Sequence, residues 1–238
     1  MVALKDFTKD TIIYLFILLL AVFFMVNLSD AVGKIYLGIA VFGVVGYYIV
    51  KDQGHRIPPI DNQRTTWFSA LIVGVVAYAA FLFLTSQVLS AAGFEYNSMN
   101  SVIGLVADTF SSTPVLEGNS FWTFLTWGQY IPFNESAAFF VVLPTLILLL
   151  IGGTLYSKID LRAIIVIILT SAGFVLFHLQ AKGITDNAAL LTTFIFALIS
   201  MALVYYYKEG KQAITFHLVS NSLAIAYTLG WLGNLIIP

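Results

Sequence analysis

Long runs of apolar residues set the strongest limit on how this chain can fold. Seven runs have about the twenty-residue length that a helix needs to cross a bilayer. They fall near residues 11–28, 33–50, 67–91, 136–156, 163–181, 188–207 and 212–236. Of all residues 60% are hydrophobic and only 10% are charged, which differs from the composition of soluble globular domains. We therefore predict an all-α polytopic membrane protein, a single transmembrane domain over residues 1–238 with seven spans, or eight.

The charges between these runs predict an orientation. With the N-terminus inside, nine of the 11 Lys and Arg residues fall in inner segments and two in outer ones. The inner residues are Lys5, Lys9, Lys51, Arg56, Arg64, Lys158, Arg162, Lys208 and Lys211, and the outer ones are Lys34 and Lys182. Because loops on the cytoplasmic side carry an excess of basic residues, we predict that the N-terminus lies inside.

The first apolar run lacks a small-residue cleavage site, so it is typical of a first span and not of a removed signal peptide. We expect the chain to lie in the cytoplasmic membrane of a prokaryote, in direct contact with the lipid bilayer. A net charge of −1 leaves no basic patch for nucleic acid, and the absence of cysteine excludes disulfides, thiolate metal ligands and a cysteine nucleophile.

Four polar residues interrupt the last apolar runs. His178 lies in one run, while His217 and Asn221 lie four residues apart in another and so share a helix face. Glu135, at the start of a further run, is the only carboxylate between Glu117 and Asp160. Ionisable side chains at membrane depth are costly and usually functional. A carboxylate, two imidazoles and a carboxamide are suited to activating a water molecule and stabilising an oxyanion.

Residues 130–228 resemble the CPBP family of intramembrane proteases, which includes the CAAX prenyl endopeptidases. The resemblance lies in Phe174-x-x-x-His178, followed by His217-x-x-x-Asn221, with a glutamate upstream. It implies a metal-independent endopeptidase without a cofactor, acting on a membrane-embedded peptide or protein. Glu135 and His178 would then activate water, and His217 and Asn221 would stabilise the oxyanion.

The first motif departs from the family pattern. The family has Glu-Glu-x-x-x-Arg, whereas this chain has Asn134-Glu135-x-x-x-Phe139. In a second register, Glu135 takes the first position and Ser136 the second. Loss of one acidic and one basic residue is electrostatically consistent, and it suits either a retuned enzyme or an inactive one. The alternative function is therefore a non-catalytic membrane scaffold or an accessory subunit that binds a partner subunit.

Two further hypotheses use the same residues. A zinc site made by Glu135, His178 and His217 is conceivable, but it lacks the His-Glu-x-x-His spacing. A proton-coupled transporter predicts an internal repeat, and none is evident.

The segment 93–134 contains no Lys or Arg, and residues 98–110 favour a helix lying in the membrane interface or a lid over the site. Straight helices beginning at 136 and 212 would leave Glu135 and His217 roughly 15 Å apart. We predict that they nevertheless converge, for instance through tilted helices or an earlier start of the Glu135 helix.

Overall fold

The computed structural model describes residues 37–39, 41–43, 65–111, 120–151, 161–181 and 183–232. This part of the chain is helical between short loops and contains no strand, so the all-α prediction is confirmed for it. The predicted span 11–28, most of the span 33–50 and the N-terminus lie outside the described residues.

Six helices follow one another from residue 67 onward in the described part. They are α1 (Trp67–Ala91), α2 (Met99–Ser111), α3 (residues 120–151), α4 (Leu161–Ala181), α5 (Asn187–Tyr207) and α6 (Lys211–Thr228). Of these, α1, α3, α4 and α5 are long and apolar enough to cross a membrane. Four such helices indicate a membrane protein.

Helix α6 lies at the centre of the bundle and packs against α1, α2, α3 and α5. It carries a set of buried polar residues: Lys211, Gln212, Thr215, His217, Ser220 and Asn221. Such side chains are costly against lipid, and their burial among other helices explains how this sequence forms a helix inside a membrane domain. The sequence prediction of 212–236 for this span places its end too late, because the helix ends at Thr228.

Helix α3, which carries Glu135, begins at Ser120, well before the predicted start at 136. Two of its segments, Phe124–Tyr130 and Ala137–Val142, are π-helical, with a wider turn than an α-helix. Each segment ends two residues before a proline, Pro132 or Pro144. A proline cannot donate a backbone hydrogen bond, and its ring collides with the carbonyl four residues earlier, so a wider preceding turn relieves the clash. The helix therefore continues through both prolines.

Side-chain contacts show the relative directions of the helices. Thr65, just before α1, accepts hydrogen bonds from Lys211 and Gln212 at the start of α6, so α1 and α6 begin at the same end of the bundle. Helix α3 runs antiparallel to α6, because Gln129 contacts Ser222 while the later residue Ser136 contacts the earlier His217. The middle of α3 is thereby brought alongside the first half of α6.

Candidate functional site

The structure brings Glu135, His178 and His217 together in the interior of the bundle. The Oε2 atom of Glu135 lies 3.5 Å from Nε2 of His217 and 3.9 Å from Nε2 of His178. Glu135 is fully buried, and the two histidines are 6% and 3% exposed. The three side chains come from α3, α4 and α6, so the site depends on the tertiary packing of three helices.

The early start of α3 accounts for the convergence. Glu135 lies fifteen residues after Ser120, which places it roughly 20 Å along the helix, at 1.5 Å per residue. His217 lies six residues after Lys211, roughly 9 Å into α6. Because α3 and α6 are antiparallel, these two distances are measured from opposite ends of the bundle. They therefore place Glu135 and His217 at the same level. The expected gap of roughly 15 Å came from placing Glu135 at a helix end.

The imidazole of His178 is held by the backbone of its own helix. Its Nδ1 lies 2.9 Å from the carbonyl oxygen of Phe174, one turn earlier in α4. A carbonyl oxygen can only accept, so Nδ1 carries the proton of this bond. The ring also packs against Phe174, with centroids 4.3 Å apart. These contacts aim Nε2 at Glu135.

The imidazole of His217 is held by a side chain of α3. Its Nδ1 lies 2.9 Å from the hydroxyl oxygen of Ser136, a residue that is fully buried. The ring packs against Phe196 of α5, with centroids 4.8 Å apart, and edge-on against Phe174 at 5.9 Å. Two consecutive residues of α3, Glu135 and Ser136, therefore contact the two nitrogens of one imidazole.

Asn221 lies one turn beyond His217 and contacts the backbone of α3. Its Nδ2 donates to the carbonyl oxygen of Trp127 at 3.4 Å, and the neighbouring Ser222 hydroxyl donates to the carbonyl of Gly128 at 3.1 Å. In the π-helical pattern of this turn, the N–H of Ile131 bonds to Thr126. The next donor in that series would be Pro132, which has no N–H. Asn221 therefore supplies a side-chain donor to the carbonyl whose π-helical partner position is occupied by a proline.

Of the two positions that depart from the family motif, Asn134 is buried and Phe139 is half-buried. Asn134 is 1% exposed, and among the described residues its Nδ2 has no hydrogen-bond partner. Phe139 stands in place of the arginine and packs against Phe174 and Phe177 of α4, with centroids 5.3 and 5.1 Å apart. Both rings also contact the imidazole of His178, with centroids 4.3 and 5.3 Å from it. Phe139 thus packs against α4, the helix that carries His178.

A cavity of about 50 Å³ adjoins the site and is lined in part by His178, His217 and Asn221. Its volume is sufficient for a few water molecules. A second cavity of about 330 Å³ shares four lining residues with the first. They are Leu105, Thr109, Ile184 and Ala189. Helix α2 and the α4–α5 loop therefore separate the two cavities, and residues 98–110, predicted as an interfacial helix or a lid, form one wall of the site.

Sequence reasoning missed the residues that hold the site together. In the sequence, Ser136 stands out only as a substitute for a motif glutamate in the second register, and Trp127 does not stand out. Pro132 was the available signal, because a proline inside a membrane helix predicts a carbonyl that needs an outside donor. In the part of the chain that the structure describes, no group of three or more His, Asp or Glu side chains has an arrangement suited to a metal ion.

Comparison with protein-family models, with curated proteins and with solved structures finds no match for this chain. The resemblance to the CPBP proteases therefore rests on the sequence motifs alone.

Proposed function

We propose that this chain is a metal-independent, glutamate-type intramembrane endopeptidase of the CPBP kind, with its core at residues 130–228. The observation that carries the proposal is the position of Glu135, whose Oε2 faces Nε2 of both His178 and His217 within 3.9 Å. A buried carboxylate between two imidazoles, beside a cavity with room for water, is suited to general acid–base chemistry.

In the proposed reaction, a water molecule from the smaller cavity is positioned by His178, which lines that cavity, and by Glu135, which lies behind the two histidines. The 3.9 Å between Glu135 Oε2 and His178 Nε2 exceeds a direct hydrogen bond, so the water has to move from the cavity to a place beside these two atoms. One of these two groups takes a proton from the water while the water oxygen bonds to the scissile carbonyl carbon. That proton then passes to the leaving amine as the C–N bond breaks.

The oxyanion of the intermediate would accept hydrogen bonds from His217 and Asn221. Both line the same cavity as His178. The amide of Asn221 carries two N–H bonds, and one of them is directed at the Trp127 carbonyl. The second N–H is the one assigned to the oxyanion. A neutral amide donor can be buried without the cost of a charge.

The substrate class is proposed to be a membrane-embedded peptide or protein. Half of the residues that line the smaller cavity are apolar, among them Phe81, Phe174 and Phe196. The larger cavity would provide access between α2 and the α4–α5 loop. With seven spans, the N-terminus inside and a prokaryotic cytoplasmic membrane, this route opens on the outer side, which argues against a cytosolic CAAX substrate.

A second candidate function is a non-catalytic membrane subunit that binds a partner subunit. Two observations favour it. Asn134 and Phe139 replace the charged residues of the family motif, and the Asn221 amide already bonds to the backbone of α3. Under this proposal the Glu135 cluster serves to hold α3, α4 and α6 together.

Cleavage of a library of membrane-embedded reporter peptides by the purified protein in liposomes tests the proposal. Glu135→Gln keeps the shape of the side chain but removes the base, and we expect it to lower the cleavage rate by about 100-fold or more. His178→Gln is expected to act similarly. Glu95→Gln, at an exposed position, is the matched control.

The expected result is cleavage that both site variants abolish and that EDTA leaves unchanged. Cleavage that EDTA abolishes would favour the zinc hypothesis. No cleavage by the wild type, together with co-purification of a stable membrane partner, would support the non-catalytic subunit.

A further inference from the structure

The two histidines of the site present the same atom to the same carboxylate, but their opposite nitrogens have different partners. Nε2 of each ring faces Glu135 Oε2. Nδ1 of His178 contacts the carbonyl of Phe174, whereas Nδ1 of His217 contacts the hydroxyl of Ser136. The partner of one ring nitrogen determines which nitrogen carries the proton. These contacts therefore determine whether Nε2 of each histidine presents a proton or a lone pair to Glu135.

The tautomer of the neutral His178 ring is fixed by its partner. The Phe174 carbonyl oxygen can only accept, so Nδ1 is the protonated nitrogen at 2.9 Å. In the neutral ring, Nε2 then presents a lone pair toward Glu135. His178 is therefore built to accept a proton on the side that faces the carboxylate.

His217 has two alternatives, because the Ser136 hydroxyl can donate or accept. If it accepted, Nδ1 would carry the proton and Nε2 of His217 would present a second lone pair. The lone pair of His217 Nε2 would then face the Oε2 oxygen of Glu135 at 3.5 Å with no proton between the two atoms, which is an unfavourable contact. If Ser136 donates, Nε2 of His217 carries a proton and directs it to Glu135, whose Oε2 lies 3.5 Å away.

We infer that Ser136 is a positioning residue that donates to His217 Nδ1 and thereby holds His217 in the tautomer with its proton on Nε2. The two imidazoles of the site then have opposite tautomers: His217 is the donor and His178 the acceptor. The placement of Ser136 suits this role, since Glu135 and Ser136 are adjacent in α3 and each contacts one nitrogen of the same ring.

The inference adds to the proposed function by assigning the starting position of each proton. It explains why two histidines at similar distances from one carboxylate perform different tasks. Of the two, only His217 carries a proton on Nε2, which can turn from Glu135 Oε2 to the oxyanion as it forms, and only His178 presents a bare Nε2 that can take a proton from water. The kinetic part of the test rests on the proposed function, and the spectroscopic part does not.

Nitrogen-15 NMR of histidine-labelled protein in lipid bilayers tests the tautomers directly, because protonated and bare ring nitrogens have well-separated shifts. The chain contains three histidines, and the His55→Asn variant leaves His178 and His217 as the two that are observed. We expect a proton on Nδ1 of His178 and on Nε2 of His217 in the wild type. A proton on Nδ1 of His217 would overturn the inference.

In Ser136→Ala we expect His217 to lose its single tautomer and give a mixture of forms. Ser136→Thr keeps a hydroxyl and is expected to restore the wild-type shifts. The matched control is Ser86→Ala, since Ser86 is 2% exposed and donates only to the carbonyl of Phe83 in its own helix. An unchanged His217 tautomer in Ser136→Ala would contradict the inference. If Ser136→Ala does not fold, the nitrogen-15 shifts of the wild type and of Ser136→Thr still show which nitrogen of His217 carries the proton.

If the reporter peptides are cleaved, we expect Ser136→Ala to lower kcat about tenfold, the equivalent of about one net hydrogen bond, with KM unchanged. Ser136→Thr should recover most of kcat. A rise in KM alone would assign Ser136 to substrate binding and overturn the positioning role. If the wild type cleaves nothing, the proposed function fails, and the NMR shifts alone decide the inference on Ser136.

Discussion

Gly74 of α1 lies directly against the backbone of Phe216 of α6, the residue before His217. A methyl group on Gly74 would lie 2.9 Å from the backbone nitrogen of Phe216 and 2.9 Å from the carbonyl carbon of Thr215. Both neighbours are backbone atoms within a helix, so they cannot move aside as a flexible side chain would. This close approach brings α1 into backbone contact with the first half of α6, the half that carries His217.

We therefore predict that Gly74→Ala separates α1 from α6 and destabilises the fold by about 1–3 kcal/mol, the usual cost of overpacking. The measurement is unfolding of the purified protein in detergent. Gly104→Ala in α2 is the matched control, because a methyl group there meets nothing within 4 Å. A Gly74→Ala variant as stable as Gly104→Ala would contradict the prediction.

The start of α6 is held by a buried ion pair. Lys211 Nζ lies 3.4 Å from Glu209 Oε2, and both side chains are fully buried. Lys211→Met would leave Glu209 as a buried charge without this partner, so we expect a loss of roughly 3–5 kcal/mol of unfolding free energy. The double variant Lys211→Met/Glu209→Gln removes both charges and should be more stable than Lys211→Met alone. Equal stability of the two would show that the charge pair is not the source of the loss.

Pro132 and Asn221 are predicted to be energetically coupled through the Trp127 carbonyl. Pro132→Ala restores a backbone N–H that can bond within α3, so the Asn221 side chain is then no longer needed as a donor. We expect Asn221→Ala to cost about 0.5–1.5 kcal/mol less in the Pro132→Ala background than in the wild type. A double-mutant cycle measured by unfolding in detergent tests this. Additive effects, within about 0.5 kcal/mol, would mean that the two residues act separately.

The larger cavity is predicted to be the route by which substrate reaches Glu135, and this prediction rests on the proposed function. Leu105 of α2 and Ile184 of the α4–α5 loop line both cavities. The chain contains no cysteine, so Leu105→Cys and Ile184→Cys introduce the only two thiols. We expect a reducible thiol crosslinker between them to stop peptide cleavage and a reductant to restore it. Each single-cysteine variant treated in the same way is the control, and full activity of the crosslinked protein would place the route elsewhere.

The boundaries of an apolar helix could be predicted from the sequence where the start of the apolar run coincides with a capping residue. The predicted spans 67–91 and 188–207 match α1 and α5 closely. Thr66 caps the first with its side chain, and Asp186 caps the second. Both are typical residues at a helix start. Here the local sequence and the tertiary fold give the same boundary.

The start of α3 could not be predicted in this way. Trp127 and Tyr130 have the composition of an interfacial aromatic belt, yet Trp127 is only 1% exposed and packs in the core. An aromatic residue suits a membrane interface and a protein interior equally well. Only contact with α6 distinguishes the two, and such contacts are not visible in a single sequence.

The site was accessible to prediction in part. Glu135, His178 and His217 stand out because each is costly in an apolar run, and the structure places a ring nitrogen of both histidines within 3.9 Å of Glu135 Oε2. Ser136 and the Trp127 carbonyl carry no comparable signal, since serines and backbone groups occur throughout membrane helices. The catalytic roles of the residues stay predictions.

The π-helical turns of α3 change how a spacing in this sequence should be interpreted. A motif written as Glu-x-x-x-Arg is a statement about angle: in an α-helix, residues four apart share a face. Phe139, four residues after Glu135, lies inside the π-helical segment Ala137–Val142, where the turn holds an additional residue. The position that would face Glu135 in an α-helix is therefore shifted along the chain. Insertion or deletion of a single residue between Glu135 and Phe139 would change the angle between these two side chains about the helix axis. An alignment of the first motif therefore has to follow the direction of the side chains around the helix and not the residue count alone.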